Sequence, residues 1–98
     1  MATFITTVKL TQQGMTDIQD TGKRAASVKD AAKKMGCKVT NVFWTMGAFD
    51  GLLIFEAPND ETATALMLHL GAQGNVHTET ARAFTAAEME KILAKKGK

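Results

Sequence analysis

The chain has 98 residues, of which 45% are hydrophobic and 22% are charged, and its formal net charge is +2. This size and this balance indicate one globular domain over residues 1–98 and exclude a disordered or fibrous protein. No apolar run approaches the roughly 20 residues that a membrane span needs, and no signal peptide is visible, so we expect a cytoplasmic protein. The single cysteine, Cys37, excludes an internal disulfide and favours a reducing compartment.

The first third of the chain predicts a strand, a connection and a helix. Residues 3–10 are rich in β-branched and aromatic types, which favours a strand. Residues 11–21 are polar and include Gly14, which indicates a connection with room for one helical turn. Apolar residues then recur at helical spacing over residues 23–35, and Gly36 is a natural C-terminal stop.

An antiparallel hairpin is predicted in the middle of the chain. Residues 38–46 (KVTNVFWTM) and residues 52–57 (LLIFEA) both have the composition of strands. Residues 47–51 (GAFDG) between them are rich in turn-forming types, so we expect the two strands to pair.

A second helix is predicted after Pro58, with Asn59 or Asp60 as its capping residue. Its apolar positions recur at helical spacing: Ala63, Leu66, Met67 and Leu70. Gly71 or Gly74 is expected to end this helix, because glycine is the usual residue after a helix C-terminus.

The last part of the chain predicts a strand over residues 76–84 and a C-terminal helix. Thr85 and Glu88 match the capping box, in which each side chain accepts a hydrogen bond from the backbone N–H of the other residue. The helix has one short apolar face: Met89, Ile92 and Leu93. A helix this short is marginal alone in water, so we expect that face to pack on the fold or on a neighbouring subunit.

The order β-α-β-β-α-β followed by a helix predicts a ferredoxin-like α+β fold, in which two helices would leave one face of the sheet uncovered. Under strict alternation, both faces of the second strand are apolar: Val39 and Phe43 share one side, and Val42, Trp44 and Met46 share the other. Because soluble monomers avoid large exposed apolar patches, we expect a homodimer or a higher homo-oligomer formed through the sheets.

The positive charge is concentrated toward the C-terminus. Five of the twelve basic residues lie there: Arg82, Lys91, Lys95, Lys96 and Lys98. Cations at the end of a helix complement its dipole, and the sequence has no basic face interleaved with exposed aromatic residues. We therefore expect a solvated tail, with neither a nucleic-acid nor a membrane partner.

Several blocks of the sequence together resemble the GYD-domain family over nearly the whole chain. The blocks are residues 9–11 (KLT) with Gly14, residues 43–50 (FWTMGAFD), residues 56–60 (EAPND), Gly71 with residues 74–76 (GNV), residues 78–80 (TET) and residues 82–84 (RAF). The resemblance implies a dimeric α+β barrel and no specific reaction. The family's Gly-x-Tyr-Asp motif has Phe49 in place of tyrosine here, so no role of a phenolic hydroxyl carries over.

The motif block and its aromatic neighbours are the first candidates for a binding site. Asp50 could accept a proton or a hydrogen bond from a ligand, or it could cap the turn through the backbone. Trp44, with Phe43 and Met46, could stack on a flat organic molecule, although such residues in a central strand usually belong to the core. The residue types leave both pairs of alternatives open.

Two histidines supply the second group of candidates. His77 and Glu79 lie two residues apart on a predicted strand and therefore share a face, and an imidazole beside a carboxylate is a common pair in general acid–base chemistry. His69 lies beside the apolar face of the second helix. Each histidine could equally be a solvated or structural residue.

The sequence contains no recognisable metal or nucleotide motif. No His-x-x-x-His, Cys-x-x-Cys or EF-hand spacing occurs, and the glycine pair in residues 71–74 follows a helix rather than a strand. We therefore expect no metal and no cofactor, although His69, His77 and Glu79 could converge in space. Cys37 lacks the surroundings of a reactive thiol.

The predicted ligand site consists of Trp44, Asp50, His69, His77 and Glu79, and its candidate catalytic residues are His77, Glu79 and Asp50. The leading hypothesis is a small binding protein that holds a small apolar or aromatic molecule between sheet and helices. The alternative, by analogy with enzymes of the same barrel fold, is a cofactor-independent monooxygenase or isomerase that acts on a hydrophobic substrate. A second alternative is a structural or assembly subunit.

Overall fold

The strands and helices follow one another in the order that the sequence predicts. The computed structural model describes residues 1–97, so Lys98, which belongs to the basic tail, lies outside the described residues. The elements are β1 (Ala2–Leu10), α1 (Gln12–Thr16), a 3-10 turn (Ile18–Asp20), α2 (Thr21–Lys34), β2 (Lys38–Trp44), β3 (Gly51–Ala57), α3 (Asp60–Ala72), β4 (Val76–Ala83) and α4 (Ala86–Lys96). The predicted connection at residues 11–21 therefore contains α1 and the 3-10 turn.

The four strands form one antiparallel sheet in the order β2-β3-β1-β4. β1 lies inside the sheet and pairs with β3 on one side and with β4 on the other, so Thr6 is opposite both Leu53 and Thr80. This strand order is that of the ferredoxin-like arrangement. The predicted α+β fold is confirmed.

The core lies between one face of the sheet and the helices α2 and α3. Phe4 of β1 and Phe55 of β3 are directly opposite each other, and their ring centroids lie 5.3 Å apart. Leu66 of α3 and Ala32 of α2 are fully buried in the same cluster. The apolar positions at helical spacing in both helices therefore face the sheet, which is what stabilises helices of this length.

Local sequence signals mark three of the helix ends, namely the starts of α3 and α4 and the end of α2. The Asn59 side chain accepts a hydrogen bond from the Thr62 N–H at 2.8 Å, so α3 begins with one of the two predicted caps. Thr85 and Glu88 form the predicted capping box at the start of α4. Gly36 follows α2 with a φ of +79°, a conformation that glycine adopts at low cost.

β2 contains a bulge that the apolar pattern does not reveal. A register shift between Val39 and Asn41 inserts one extra residue into the strand. The bulge places Val39 on the helix-covered face, where it packs against the core, whereas Phe43 lies on the opposite face. The prediction that Val39 and Phe43 share one side is therefore wrong, because strict alternation fails at a bulge.

The face of the sheet opposite the helices, called the open face here, is apolar at its centre. It carries four large side chains: Ile5, Phe43, Leu52 and Ile54. Phe43 keeps 49% of its surface exposed, and the other three are half-buried. The core helices α2 and α3 pack on the other face, so they leave this one uncovered.

The C-terminal helix packs little on its own chain. No residue of α4 is buried, and the side chains of Met89 and Leu93 stay exposed. The molecule is correspondingly elongated and measures 52 by 31 by 18 Å. Packing of this helix against a second subunit stays a prediction. Among the helices in residues 1–97, none has both the length and the apolar character that crossing a bilayer requires.

Candidate functional site

A cavity of about 100 Å³ lies between α2 and the sheet, where β1 and β2 end and β3 and β4 begin. Most of its wall is apolar. The apolar residues come from the sheet, α2 and α3: Val8, Val28, Val42, Leu53, Leu70 and Val76. The cavity is partly open to solvent, so a small molecule can reach it.

Polar side chains supply the rest of this wall, and one pair of them links α2 to β2. The indole N–H of Trp44, the last residue of β2, donates a hydrogen bond to Oγ1 of Thr21 at 2.9 Å. The bond holds the ring beside α2, although 56% of the Trp44 surface stays exposed. An indole ring held in this way presents a flat apolar surface to a ligand.

Arg24 extends from α2 toward the segment that precedes this helix. Its guanidinium donates to the Asp17 carbonyl at 2.9 Å and to the Gly14 carbonyl at 3.4 Å. A guanidinium has more N–H donors than these two bonds use, so Arg24 can also receive an anionic group. Sequence reasoning missed this residue. The signal that could have found it is a cation directly before Ala25, an apolar position of α2 that also lines the cavity.

Asp50 connects the β2–β3 hairpin to the end of β1. Its Oδ2 accepts a hydrogen bond from the Leu10 N–H at 2.9 Å, and its own N–H donates to the Val8 carbonyl at 2.8 Å. The Thr45 N–H donates to the Asp50 carbonyl at 2.9 Å and closes the hairpin. Asp50 therefore caps backbone groups and also lines the cavity, so the two alternatives open from sequence are compatible.

Close packing of α1 against the start of β4 holds one wall of the cavity in place. A Cβ atom on Gly14 would lie 2.0 Å from the carbonyl oxygen of Asn75, so only glycine fits there. The Thr11 N–H donates to the same carbonyl at 3.0 Å. Since Asn75 lines the cavity, this contact shapes the site, and sequence reasoning did not identify its role.

The structure does not bring the five predicted ligand residues together. Trp44 and Asp50 line the cavity, whereas His69, His77 and Glu79 lie outside its wall. A role of these three residues in binding a ligand stays a prediction.

The two histidines lie on different surfaces of the molecule. His77 and Glu79 share a face of β4, as expected, and the pairing of β4 with β1 puts that face on the open side of the sheet. His69 is exposed on α3, where its Nε2 lies 3.3 Å from Nε2 of Gln73. The sheet separates His77 from the cavity.

A wider and more open groove of about 390 Å³ lies between α3 and β4. Its wall contains threonine hydroxyl groups and the side chain of Arg82. That guanidinium is already engaged, because it lies 4.6 Å from the ring centroid of Phe84 and forms an ion pair with Glu88 at 3.4 Å. The smaller cavity is therefore the better candidate for a ligand site.

Two perturbed titratable groups lie outside the cavity. Burial raises the pKa of the Cys37 thiol. The hydrogen bond from the Thr85 backbone N–H lowers the pKa of the Glu88 carboxyl, with help from Arg82. Within residues 1–97, no three His, Cys, Asp or Glu side chains are grouped as metal ligands would be.

The wall of the cavity is mostly apolar and also contains the side chains of Arg24 and Asp50. The cavity is therefore suited to hold an apolar group beside one cationic and one anionic side chain.

Comparison with known proteins adds three findings. A protein of Thermus thermophilus named glutamine synthetase and cystathionine beta-lyase binding protein is 29% identical over 90 residues, which cover 91% of this chain and 95% of the relative. A crystal structure of a Thermus thermophilus protein aligns with this chain at a TM-score of 0.58 and 19% identity. The alignment covers 88% of this chain and 96% of the other chain, and it shows likeness of fold alone. The family model of the GYD domain matches residues 4–93. Because that match spans most of the chain, the protein belongs to the GYD domain family.

Proposed function

We propose that this protein is a binding protein that holds a small apolar or aromatic molecule in the cavity beside Trp44. The observation that carries the proposal is the cavity wall, which is mainly apolar, opens to solvent and includes the indole ring. Burying a ligand there gains about 25 cal/mol for each Å² of apolar surface removed from water. With a volume of about 100 Å³, the cavity suits a ligand of few atoms, since about 150 Å³ holds benzene.

Filling the cavity with a larger side chain tests this proposal. Ala25 lines the cavity, whereas Ala26, the next residue of α2, is exposed. We expect Ala25→Leu to weaken binding of a neutral probe, 3-methylbutanol, at least about tenfold, and Ala26→Leu to leave it unchanged. Trp44 is the single tryptophan, so its fluorescence reports binding. Failure of the unaltered protein to bind either 3-methylbutanol or benzene would contradict the proposal.

Catalysis has no comparable support. The alternative of a cofactor-independent monooxygenase or isomerase has His77, Glu79 and Asp50 as its candidate catalytic residues, with His69 nearby in sequence, and of these four only Asp50 lines the cavity. Both imidazoles lie outside the cavity wall. We therefore propose binding rather than a reaction.

We further propose that two copies form a homodimer through their open faces. The support is the apolar centre of that face, where Phe43 and Ile54 lie and no core helix packs. An antiparallel sheet with apolar side chains on both faces is stable in water when both faces are covered. The exposed Met89 and Leu93 of α4 offer a second apolar contact to the partner copy.

Light scattering tests the dimer directly. We expect twice the chain mass of 10.5 kDa at micromolar concentration. Ile54→Glu would place a charge in the interface and is expected to give a monomer, because an unpaired buried charge is costly. Leu68→Glu is the matched control, since Leu68 on α3 is 69% exposed. A monomeric mass for the unaltered chain would overturn the dimer and leave the ligand proposal standing.

A second binding role is favoured by the relative and by the exposed tip of the hairpin. The relative is named for binding glutamine synthetase and cystathionine beta-lyase. We propose that this chain likewise contacts an enzyme. Met46, which is 95% exposed, lies in the β2–β3 hairpin two residues after Trp44, which is 56% exposed. Clustered apolar and aromatic side chains of this kind are the usual anchors of protein interfaces.

Purified glutamine synthetase and cystathionine beta-lyase are the probes for this second role. We expect Met46→Ser to weaken binding to one of the two enzymes at least about tenfold, as measured by surface plasmon resonance. Leu68→Ser removes a similarly exposed apolar residue from α3 and is expected to bind normally. Equal affinity of both variants, or no binding by the unaltered protein, would contradict the role.

A further inference from the structure

The cavity wall contains two side chains of opposite charge that do not form an ion pair with each other. Arg24 and Asp50 both line it, and both are half-buried. The ion pair found within residues 1–97 joins Arg82 to Glu88 instead. Half-buried charges beside an apolar wall interact more strongly with a charged ligand than exposed ones do, because less water screens them.

Contacts around the end of β1 bring both charged groups to the same part of the cavity. The Asp50 carboxylate accepts a hydrogen bond from the Leu10 N–H at 2.9 Å. Gly14 lies beside Leu10, since a Cβ atom on it would be 3.2 Å from Leu10 Cδ2. The Gly14 carbonyl in turn accepts from Arg24 at 3.4 Å. Asp50 therefore contacts Leu10 directly, Arg24 is linked to it through Gly14, and Leu10 is itself part of the cavity wall.

We propose that the ligand of this cavity is a small aliphatic amino acid in its zwitterionic form, an inference that rests on the proposed binding function. Its carboxylate pairs with Arg24, its ammonium group pairs with Asp50, and its side chain enters the apolar part of the cavity. An amino acid carries both charges on one carbon atom, so a single ligand supplies a partner to each of the two charged groups in the cavity wall. The volume of about 100 Å³ favours a side chain such as that of leucine over an aromatic ring.

Both protein groups keep hydrogen-bonding capacity for such a ligand. Each terminal nitrogen of Arg24 donates to one backbone carbonyl, and each carries a further N–H that can reach a carboxylate. The Leu10 N–H donates to Oδ2 of Asp50, so Oδ1 remains as an acceptor for the ammonium group of the ligand. Bonds between charged partners are the stronger class of hydrogen bond, so they can orient the ligand at the mouth.

A set of probes with one shared branched apolar group tests the proposal on the unaltered protein. The probes are leucine, 4-methylpentanoate, which lacks the ammonium group, 3-methylbutylamine, which lacks the carboxylate, and neutral 3-methylbutanol. Calorimetry should show leucine binding tightest and each of the others at least about tenfold weaker, since charged hydrogen bonds are lost. Equal binding of leucine and any other probe overturns the assignment, while binding of 3-methylbutanol still supports the proposed function. If none of the four binds, both proposals fail.

Substitutions then assign each charge to its protein group. In Arg24→Gln we expect leucine and 3-methylbutylamine to bind equally, and in Asp50→Asn we expect leucine and 4-methylpentanoate to bind equally. Asparagine keeps an acceptor for the Leu10 N–H, so the fold should persist. Lys29→Gln and Asp30→Asn remove the same charges from exposed positions on α2 and should change nothing. Unchanged preference for leucine in both cavity variants would overturn the proposal.

Discussion

Two regions of the layer between helices and sheet differ in how closely they are packed. In the centre, Phe55 and Leu66 are fully buried, and the rings of Phe55 and Phe4 stack 5.3 Å apart. At the end where β1 and β2 finish, a cavity of about 100 Å³ persists, with Arg24 and Asp50 in its wall. The same strands and helices form both regions.

This difference shows how one small core combines stability with an open site. The centre is stabilised by close contact between apolar side chains, which is lost when any of them is shortened. The cavity end is held by hydrogen bonds from side chains to backbone, such as that between Asp50 and Leu10. Substitutions in the two regions should therefore affect the free energy of unfolding by different amounts and for different physical reasons.

The largest effect is expected in the packed centre. Leu66 is 0% exposed, so Leu66→Ala should lower the free energy of unfolding by about 2–5 kcal/mol in a urea titration. Leu68, two residues along α3, is 69% exposed, and Leu68→Ala should change the free energy of unfolding by less than about 0.5 kcal/mol. Similar losses in the two variants would show that the centre is not the stabilising region.

A smaller loss is expected at the wall of the cavity. Gly14→Ala would force a Cβ atom against the Asn75 carbonyl, so α1 must move and the hydrogen bond from Thr11 must weaken. The free energy of unfolding should fall by about 1–3 kcal/mol, and hydrogen exchange of the Thr11 amide should accelerate. Gly22→Ala is the control, because its Cβ would meet nothing within 4 Å. An unperturbed Gly14→Ala variant would mean that the contact is looser than the structure shows.

Two substitutions at Asp50 distinguish the contribution of its hydrogen-bond acceptor to stability from the contribution of its negative charge. Asp50→Ala leaves the Leu10 N–H without its partner, which should cost about 1–2 kcal/mol of stability. Asp50→Asn keeps an acceptor for this N–H, so it should lose clearly less stability than Asp50→Ala, as measured by thermal unfolding. If the two variants lose the same amount, the charge rather than the hydrogen bond holds the hairpin to β1.

The smallest effect concerns the helix that lies outside both regions. The hydrogen bond from the Thr85 backbone N–H lowers the pKa of Glu88 from its ordinary 4.5, and the Arg82 side chain lowers it further by a smaller amount. The ionised form therefore supports α4 above the ordinary pKa, and this support is lost as the pH falls through the lowered pKa.

An NMR titration of Glu88 checks this expectation. Its carboxyl should titrate below 4.5, and the first turn of α4 should fray over the same range while the packed centre is unaffected. Glu88→Gln should make that turn insensitive to pH in this window. A midpoint at or above 4.5 would show that the capping box does not form in solution.

The order of the elements could be predicted because local signals determine it. Asn59, Gly36 and the Thr85 capping box act on their own helix ends, so they need no information about the rest of the chain. The faces of the strands were harder to predict. The bulge after Val39 has no signature in the apolar pattern, and the side of the sheet on which His77 lies depends on how β4 pairs with β1.

The sequence by itself determined the ferredoxin-like order of elements, the capped helices and two of the residues around the cavity, Trp44 and Asp50. Residue type and neighbouring positions are sufficient for these features. Only the tertiary structure decided that Arg24 lies in the same wall as Asp50 and that His69 and His77 do not. The physical reason is that a shared cavity depends on strand register and on the rotation of α2 over the sheet, and both result from packing between segments far apart in the chain.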